Sequence, residues 1–442
     1  MKAHDQDAAG SSSDAPASPQ RRGLLLGLAA GSLGLMPSAA PAAVTTPAAV
    51  SSLVIPFHGP HQAGITTPQP YAGLVAAFDV LAENREELRQ LFITLTTRAE
   101  FLMHGGTPPE LDEALPPADS GVLGPTIKPE HLTMTVAVGA SLFDGRFGLA
   151  PLKPKQLAEM EDFPNDALDA ELCHGDLMIQ FCAETPEEVI HALRDIVKAT
   201  PDLLAIKWKQ EGFAATHGAR SGPIGTGRNL LGFKDGTANA DIRDDAMMNA
   251  YVWVQPDAGE PAWSVGGSYQ VVRLVRNFVE RWDRTPLSEQ EAIFGRARNS
   301  GAPLGKADEF DEPGYPADPN GEKIPLTSHI RLANPRTPEA TARLIRRGFN
   351  YSNGVSKSGQ LDMGLLFVSF QSDLAQGFIA TQNRLNGEPL EEYIKPFGGG
   401  YYFVLPGVAA PGGHLGQGLF ADAASLPTPS QQAPAKAPSN KG

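Results

Sequence analysis

Residues able to do chemistry at close range gather most densely at 225–239, Gly-Thr-Gly-Arg-Asn-Leu-Leu-Gly-Phe-Lys-Asp-Gly-Thr-Ala-Asn. Its glycines suggest a phosphate-cradling loop. However, no Lys-Ser/Thr pair follows the last glycine and the spacing is not G-x-G-x-x-G, which speaks against nucleotide binding. Asp235-Gly236 is an ordinary turn pair, and it also offers a carboxylate of the kind used in general acid/base catalysis. His329 stands in Ser328-His329-Ile330-Arg331-Leu332-Ala333-Asn334-Pro335, ahead of a segment that reads as a strand. A neutral imidazole there could ligate a metal, with a surface or capping histidine as the plainer alternative. Arg346-Arg347 puts two permanently charged guanidiniums side by side, and taken alone they read as strand-edge charges. His58, His61, His104, His131, His174, His191, His217 and His414 have no comparable context and receive no role. Thiolate metal sites are not spelled out either: neither C-x-x-C nor H-E-x-x-H occurs, which disfavours zinc chemistry. The two cysteines, Cys173 and Cys182, flank an apolar run and read as buried free thiols in preference to a bridge.

The first forty-two residues read as a leader. A polar stretch ends in Arg21-Arg22, a short apolar segment covers 23–36, and Ala40-Pro41-Ala42 supplies a cleavage-like site. Paired arginines before a modest, Gly- and Ala-rich apolar core predict export by the twin-arginine route to the periplasm. That route carries folded proteins, often with a cofactor already loaded. Removing 1–42 removes three basic and three acidic charges, so the formal net charge stays at -14. An acidic surface argues against nucleic acid as a partner. No apolar run approaches the roughly 20 residues of a membrane span, so the mature chain is expected not to span a membrane.

Length points to two domains once leader and tail are set aside. Strands are expected at 71–81, 132–143, 176–183 and 203–208, with helices at 84–103, capped by Asn84, and from Thr185 onward, giving β-α-β-β-α-β. The second half predicts strands at 250–254, 269–275, 344–351, 365–370 and 401–405 and helices at 288–294 and 374–385. Two ferredoxin-like α+β halves with antiparallel sheets, at 60–215 and 222–420, meet at a glycine-dense seam near 212–227. Residues 299–325 suggest a long surface loop, and 424–442 a low-complexity disordered tail.

Three elements together resemble one family. Gly232-Phe233-Lys234-Asp235-Gly236-Thr237 resembles the G-x-x-D-G-T signature of dye-decolorising peroxidases, His329 matches the family's haem-ligating histidine, and Arg347, eighteen residues on, matches its distal arginine. The likeness runs over roughly 60–420 in the right order. It implies a dimeric α/β-barrel type of fold with haem held mainly by the C-terminal half, one haem b per chain, and a peroxidase that reduces hydrogen peroxide with an aromatic or dye-like donor.

The resemblance also assigns roles. Asp235 moves a proton between the peroxide oxygens, while Arg347 stabilises charge on the departing one. Arg346, its neighbour, would face the other side of a strand. Gly236, Thr237 and Ala238, with Asn334, Pro335 and Arg336, would serve the haem propionates, Arg273 and Arg276 being alternatives. Glu392, or Glu391 one register away, would accept the other N–H of the ligating imidazole. One further activity is implied, removal of iron from haem with the tetrapyrrole intact, tied to iron-uptake components; a haem carrier without turnover stands as an alternative of another class. An acid/base pair at 235 and 347 speaks against the carrier. A homodimer is a further expectation. Trp208, Trp253, Trp263, Trp282 and the tyrosines read as core first and electron relays second.

Overall fold

The computed structural model describes residues 53–215, 226–338, 340 and 343–421; the expected leader, the tail and part of the seam fall outside these. In the first half, β1 (Ala72–Val80) leads into α1 (Arg85–His104), β2 (Thr133–Gly139), β3 (Leu177–Ala183), α2 (Pro186–Ala199) and β4 (Leu204–Phe213). Asn84 caps α1 by accepting from the amides of Glu86 and Glu87, and Thr185 caps α2 ahead of Pro186. Leu88, Leu91, Phe92, Leu95, Ala99 and Leu102 recur at helical spacing on α1 and bury one face against the sheet. Strands β2, β3, β1 and β4 pair antiparallel in that order, which is ferredoxin-like.

The second half repeats the arrangement with β5 (Ser268–Asn277), β6 (Ile345–Arg346), β7 (Phe349–Val355), β8 (Leu361–Gln371) and β9 (Ile394–Val404). Strand β5 lies between β8 and β9, β9 pairs with β2, and β4 meets β7, so the two sheets close on each other as a barrel. Short helices are set between and ahead of the strands of this half: α3 (Asp245–Tyr251) precedes β5, α4 (Val279–Trp282) and α5 (Leu287–Phe294) follow it, α6 (His329–Ala333) comes before β6, and α7 (Ala380–Leu385) before β9. Among the described residues no helix is long and apolar enough to cross a membrane.

Strands β1, β2 and β3 bury both faces almost throughout, which is why their sequences read as near-continuous apolar runs. On β3, Leu177, Ile179 and Phe181 join the core beneath the helices, while Met178 and Cys182 join the core inside the barrel. Cys173 and Cys182 are both free and buried.

Three expectations at element level need correction. Residues 250–254 form no strand: they end α3 and turn, and their apolar character comes from Val252 and Trp253 plugging the barrel core, Trp253 stacked 3.8 Å from the His61 ring. The last strand starts at Ile394, well before 401, through Gly398-Gly399-Gly400, residues with poor strand propensity. Glycine is required there because Gly399 has φ 122° and a Cβ would lie 2.0 Å from the Val272 carbonyl oxygen. The 299–325 loop is also more than surface, since Ala302 and Ile324 are buried and Arg331 is bonded to the Ile324 and Asp318 carbonyls.

One buried charge in α2 has a measurable consequence. Burial, reinforced by the Glu130 and Glu184 carboxylates and opposed by the Glu130 amide, lifts the Glu188 carboxyl from 4.5 to about 7. A carboxyl whose folded pKa is raised favours the fold below pH 4.5, and that contribution is lost as pH rises through about 7. Glu188→Gln keeps the acceptor for the Glu130 amide and removes the charge. Urea melts should coincide with wild type near pH 4.5 and favour the variant at pH 8 by on the order of 1 kcal/mol, after allowance for solvent screening. Equal melts at both pH values would show that Glu188 titrates normally.

Candidate functional site

The 226–239 segment is a small hairpin folded over the end of the barrel. An isolated bridge joins Arg228 to Lys234, the Asn229 side chain accepts from the amides of Leu231 and Phe233, and Gly232 turns the chain at φ 86°. Phe233 stacks on Phe294 with ring centres 4.1 Å apart, and Arg228 bonds the carbonyls of Arg298 and Asn299. Gly236, at φ 98°, then swings the chain so that Asn239 lies against β6. The Asn239 amide donates to the Arg346 carbonyl at 2.7 Å and accepts from the Arg346 amide at 3.0 Å, clamping the hairpin to the strand. This clamp sets Asp235 beside the Arg346 side chain, Nη1 to Oδ1 2.9 Å.

The guanidinium facing Asp235 is therefore that of Arg346, and the assignment of Arg347 to this position is corrected. Ile345, Arg346 and Phe349 stay in one antiparallel register with β8, so Arg346 and Arg347 face opposite sides. Arg347 shares the face of Ile345 and Phe349, which lies inside the barrel. There it is buried and bonds the carbonyls of Thr67 and Pro68. Desolvation lowers its pKa, with the neighbouring Cys182 thiol opposing. Alternation foretold that the arginines would diverge. It could not tell which faced the site, because neither face of this strand meets open solvent.

His329 begins α6 and does not precede a strand. Its Nδ1 lies 2.8 and 3.1 Å from the two oxygens of Glu388, which is buried. Among the described residues nothing bonds Nε2. Burial pushes the imidazole pKa down, but the Glu388 charge and hydrogen bond outweigh it, and the net shift is upward. The Arg384 guanidinium bonds the Leu332 and Ala333 carbonyls and so anchors the end of α6 to α7. Glu392 is not the partner acid: its side chain is mostly exposed and lies 3.7 Å from Arg281. Glu391 instead accepts from the Gly387 amide. Glu388 was missed because it stands just ahead of the tight turn Pro389–Glu392, which carries Glu392 outward and leaves Glu391, also on the cavity wall, bonded to the Gly387 amide.

Asp235, Arg346, His329 and Glu388 all line one cavity of about 560 Å³. Leu344, Leu365, Phe367, Phe378, Leu385 and Ile394 supply much of its apolar wall, and Gly236, Thr237, Ala238, Asn334 and Arg336 line it as expected. Pro335 and Arg276 do not line it. Arg273 does, but it is buried and paired with Asp166. Arg336 adopts φ 60° and reaches Glu312 at 2.6 Å. Arg296, which drew no attention in the sequence, adds a further guanidinium to the wall, its Nη1 bonded to the Gly301 and Glu309 carbonyls.

Comparison with known proteins places this geometry. Residues 62–214 match the model of the Dyp-type peroxidase N-terminal domain, and 226–409 that of the Dyp-type peroxidase C-terminal domain. The deferrochelatase of Yersinia pestis is 61% identical over 365 residues, covering 82% of this chain and 84% of that one. The chain belongs to the Dyp-type peroxidase family. The deferrochelatase of Escherichia coli O157:H7 is 56% identical over 409 residues, 91% of this chain and 97% of its own. Among solved structures, the DyP-type peroxidase of Cellulomonas bogoriensis has a TM-score of 0.74 at 35% identity, covering 84% of this chain and all but 1% of its own, with 99% aligned. Ferric DtpA of Streptomyces lividans gives 0.73 at 34%, with 84% and 98% covered.

Dyp-type peroxidases are haem proteins, and the cavity fits such a group on its own chemistry. Its volume is that of a small-molecule site. An apolar wall suits a macrocycle, two guanidiniums and the Thr237 and Asn334 side chains suit propionates, and an imidazole with Nδ1 engaged by a carboxylate suits axial ligation through Nε2.

Proposed function

We propose that this Dyp-type peroxidase holds one haem b per chain through His329 and reduces hydrogen peroxide with electrons from a small aromatic donor. The observation that carries this reading is the pairing of His329–Glu388 with Asp235–Arg346 in one cavity. Bound haem supplies the iron at which the peroxide O–O bond is cleaved. Asp235 takes a proton from one peroxide oxygen and returns it to the other. Arg346 stays charged and stabilises the negative charge that builds on the departing oxygen. Glu388 fixes the imidazole tautomer and raises its basicity. Thr237, Asn334, Arg296 and Arg336 hold the propionates. Two electrons from the donor and two protons complete the reduction of one peroxide to two waters.

A second activity, release of iron from haem with the tetrapyrrole left intact, is favoured by the 56–61% identity to proteins named deferrochelatase. It fits the proposal that the chain serves iron acquisition. Exchange of iron needs two protons delivered to the porphyrin nitrogens, and Asp235 is the carboxyl placed to relay them. The Arg21-Arg22 leader supports a periplasmic location reached by the twin-arginine route.

One experiment addresses all three statements. Expressed with its leader, the chain should be recovered from the periplasm with haem b at one per chain and should oxidise an aromatic dye only when peroxide is present. An Arg21→Lys, Arg22→Lys variant should remain in the cytoplasm. Fluorescence of metal-free protoporphyrin without added peroxide would make iron release the main activity. Absence of both dye oxidation and porphyrin would leave a haem carrier.

A further inference from the structure

Away from the haem cavity, on the outer face of the first half, three side chains converge from two segments. Asp119 and Ser120 belong to the long connection between α1 and β2, and His191 and Asp195 stand one turn apart on α2. The i, i+4 spacing puts both α2 residues on one helix face, the arrangement helices use to present two ligands to a metal. His191 is fully buried and Asp195 nearly so. One ligand atom from each of Asp119, His191 and Asp195 falls within 4.8 Å of the others.

The hydrogen bonding is incomplete in an informative way. His191 Nδ1 lies 2.9 Å from Ser120 Oγ, which engages that nitrogen. Nε2 and the facing Asp119 Oδ1 are both buried without a partner, 3.4 Å apart. The other Asp119 oxygen accepts from the Gly121 amide at 2.6 Å. A charge-assisted N–H···O bond closes to about 2.7–2.9 Å, so 3.4 Å is too long for one. It is the right length for something else. Two ligands held at about 2.0–2.1 Å by one tetrahedral ion lie about 3.3 Å apart. Leaving two buried polar atoms unpaired carries a desolvation cost that a shared ion removes.

Asp195 already receives the Arg98 guanidinium, Nε at 2.7 Å and Nη2 at 2.6 Å. Each carboxylate oxygen keeps a further lone pair. With two carboxylates, one guanidinium and a neutral imidazole the cluster carries about one negative charge, so a divalent cation leaves it close to neutral. Ser120 on Nδ1 is then the outer-shell contact that orients the ring and directs the Nε2 lone pair at the ion.

We propose that Asp119, His191 and Asp195 form a site for a divalent transition-metal ion of the zinc class, completed by water. Imidazole with carboxylate oxygen is the donor set such an ion accepts. The ion pins the α1–β2 connection to α2, independently of the haem cavity, whose wall includes none of these residues.

The test uses the haem-loaded protein, stripped with a chelator, exposed to zinc chloride and desalted. Elemental analysis should find one zinc per chain in addition to the haem iron, and zinc K-edge absorption should show only light N/O neighbours at about 2.0–2.1 Å. Asp119→Asn, in a loop outside the core, should lose the zinc while keeping the haem spectrum and circular dichroism of wild type. His191→Gln should behave alike where it folds. Zinc should raise the thermal midpoint of wild type and leave that of Asp119→Asn unmoved. Absence of zinc from wild type, sulfur among its neighbours, or equal retention by Asp119→Asn would overturn the site.

Discussion

Replacing His329 by alanine is expected to give a folded protein that loses its haem on desalting, the largest single effect on cofactor retention that this cavity allows. The reason is local. Among the residues lining the cavity, His329 is the histidine, and its Nε2 has no competing hydrogen bond among the described residues. Glu388 remains in the variant as a buried carboxylate without its partner, which also disfavours any substitute ligation from that side. Glu388→Gln should produce a graded version of the defect. It keeps an acceptor for Nδ1–H but weakens the donor, and outer-shell losses of this kind cost about 10–100-fold in metal affinity. Absorption spectra and haem extraction after desalting measure both. Added imidazole should restore haem binding to His329→Ala, because it refills the space with the missing donor. Haem content and spectrum equal to wild type in His329→Ala would remove His329 as the ligand.

How much of this was legible in the sequence depends on how local each signal is. Helix caps are local, so Asn84 and Thr185 marked their helices correctly, and the apolar runs of β1 and β3 announced buried strands. The two ferredoxin-like halves followed from that order of elements. Closure into one barrel came only from the family resemblance and from no local signal, because it depends on β9 meeting β2 and β4 meeting β7 across most of the chain. Asp235 and His329 each stand in a distinctive local context, and both line the one cavity. The misplaced arginine and carboxylate share a cause: residues of one type stood close together, and the choice among them was made by tertiary packing. Arg346 and Arg347 differ by which buried face they enter. Glu388, Glu391 and Glu392 differ by which side of a single tight turn they leave from. The paired carboxylate and imidazole of Asp119 and His191 lie far apart in sequence and carry no motif.

The arginine correction also yields the sharpest test of how the distal residues work. Asp235→Asn should keep haem yet slow the reaction with peroxide by about 100–10,000-fold, the usual contribution of a general acid/base group. Arg346→Leu should slow it by about 100–1,000-fold, the usual worth of one preorganised charge donor. The Asn239 clamp contacts only the Arg346 backbone, so this substitution removes the guanidinium and spares the loop. Because the two side chains are bonded to each other, the double variant should be slowed by less than the product of the single effects. Arg347→Leu supplies the control. Its guanidinium serves the Thr67 and Pro68 carbonyls inside the barrel, so its loss should appear in stability, on the order of 1–3 kcal/mol, with the peroxide rate per bound haem left close to wild type. Stopped-flow absorbance of the haem band, normalised to haem content and set beside denaturant melts, separates the two outcomes. A slow Arg347→Leu beside a fast Arg346→Leu would restore Arg347 as the distal arginine and require the strand to present its other face to the cavity.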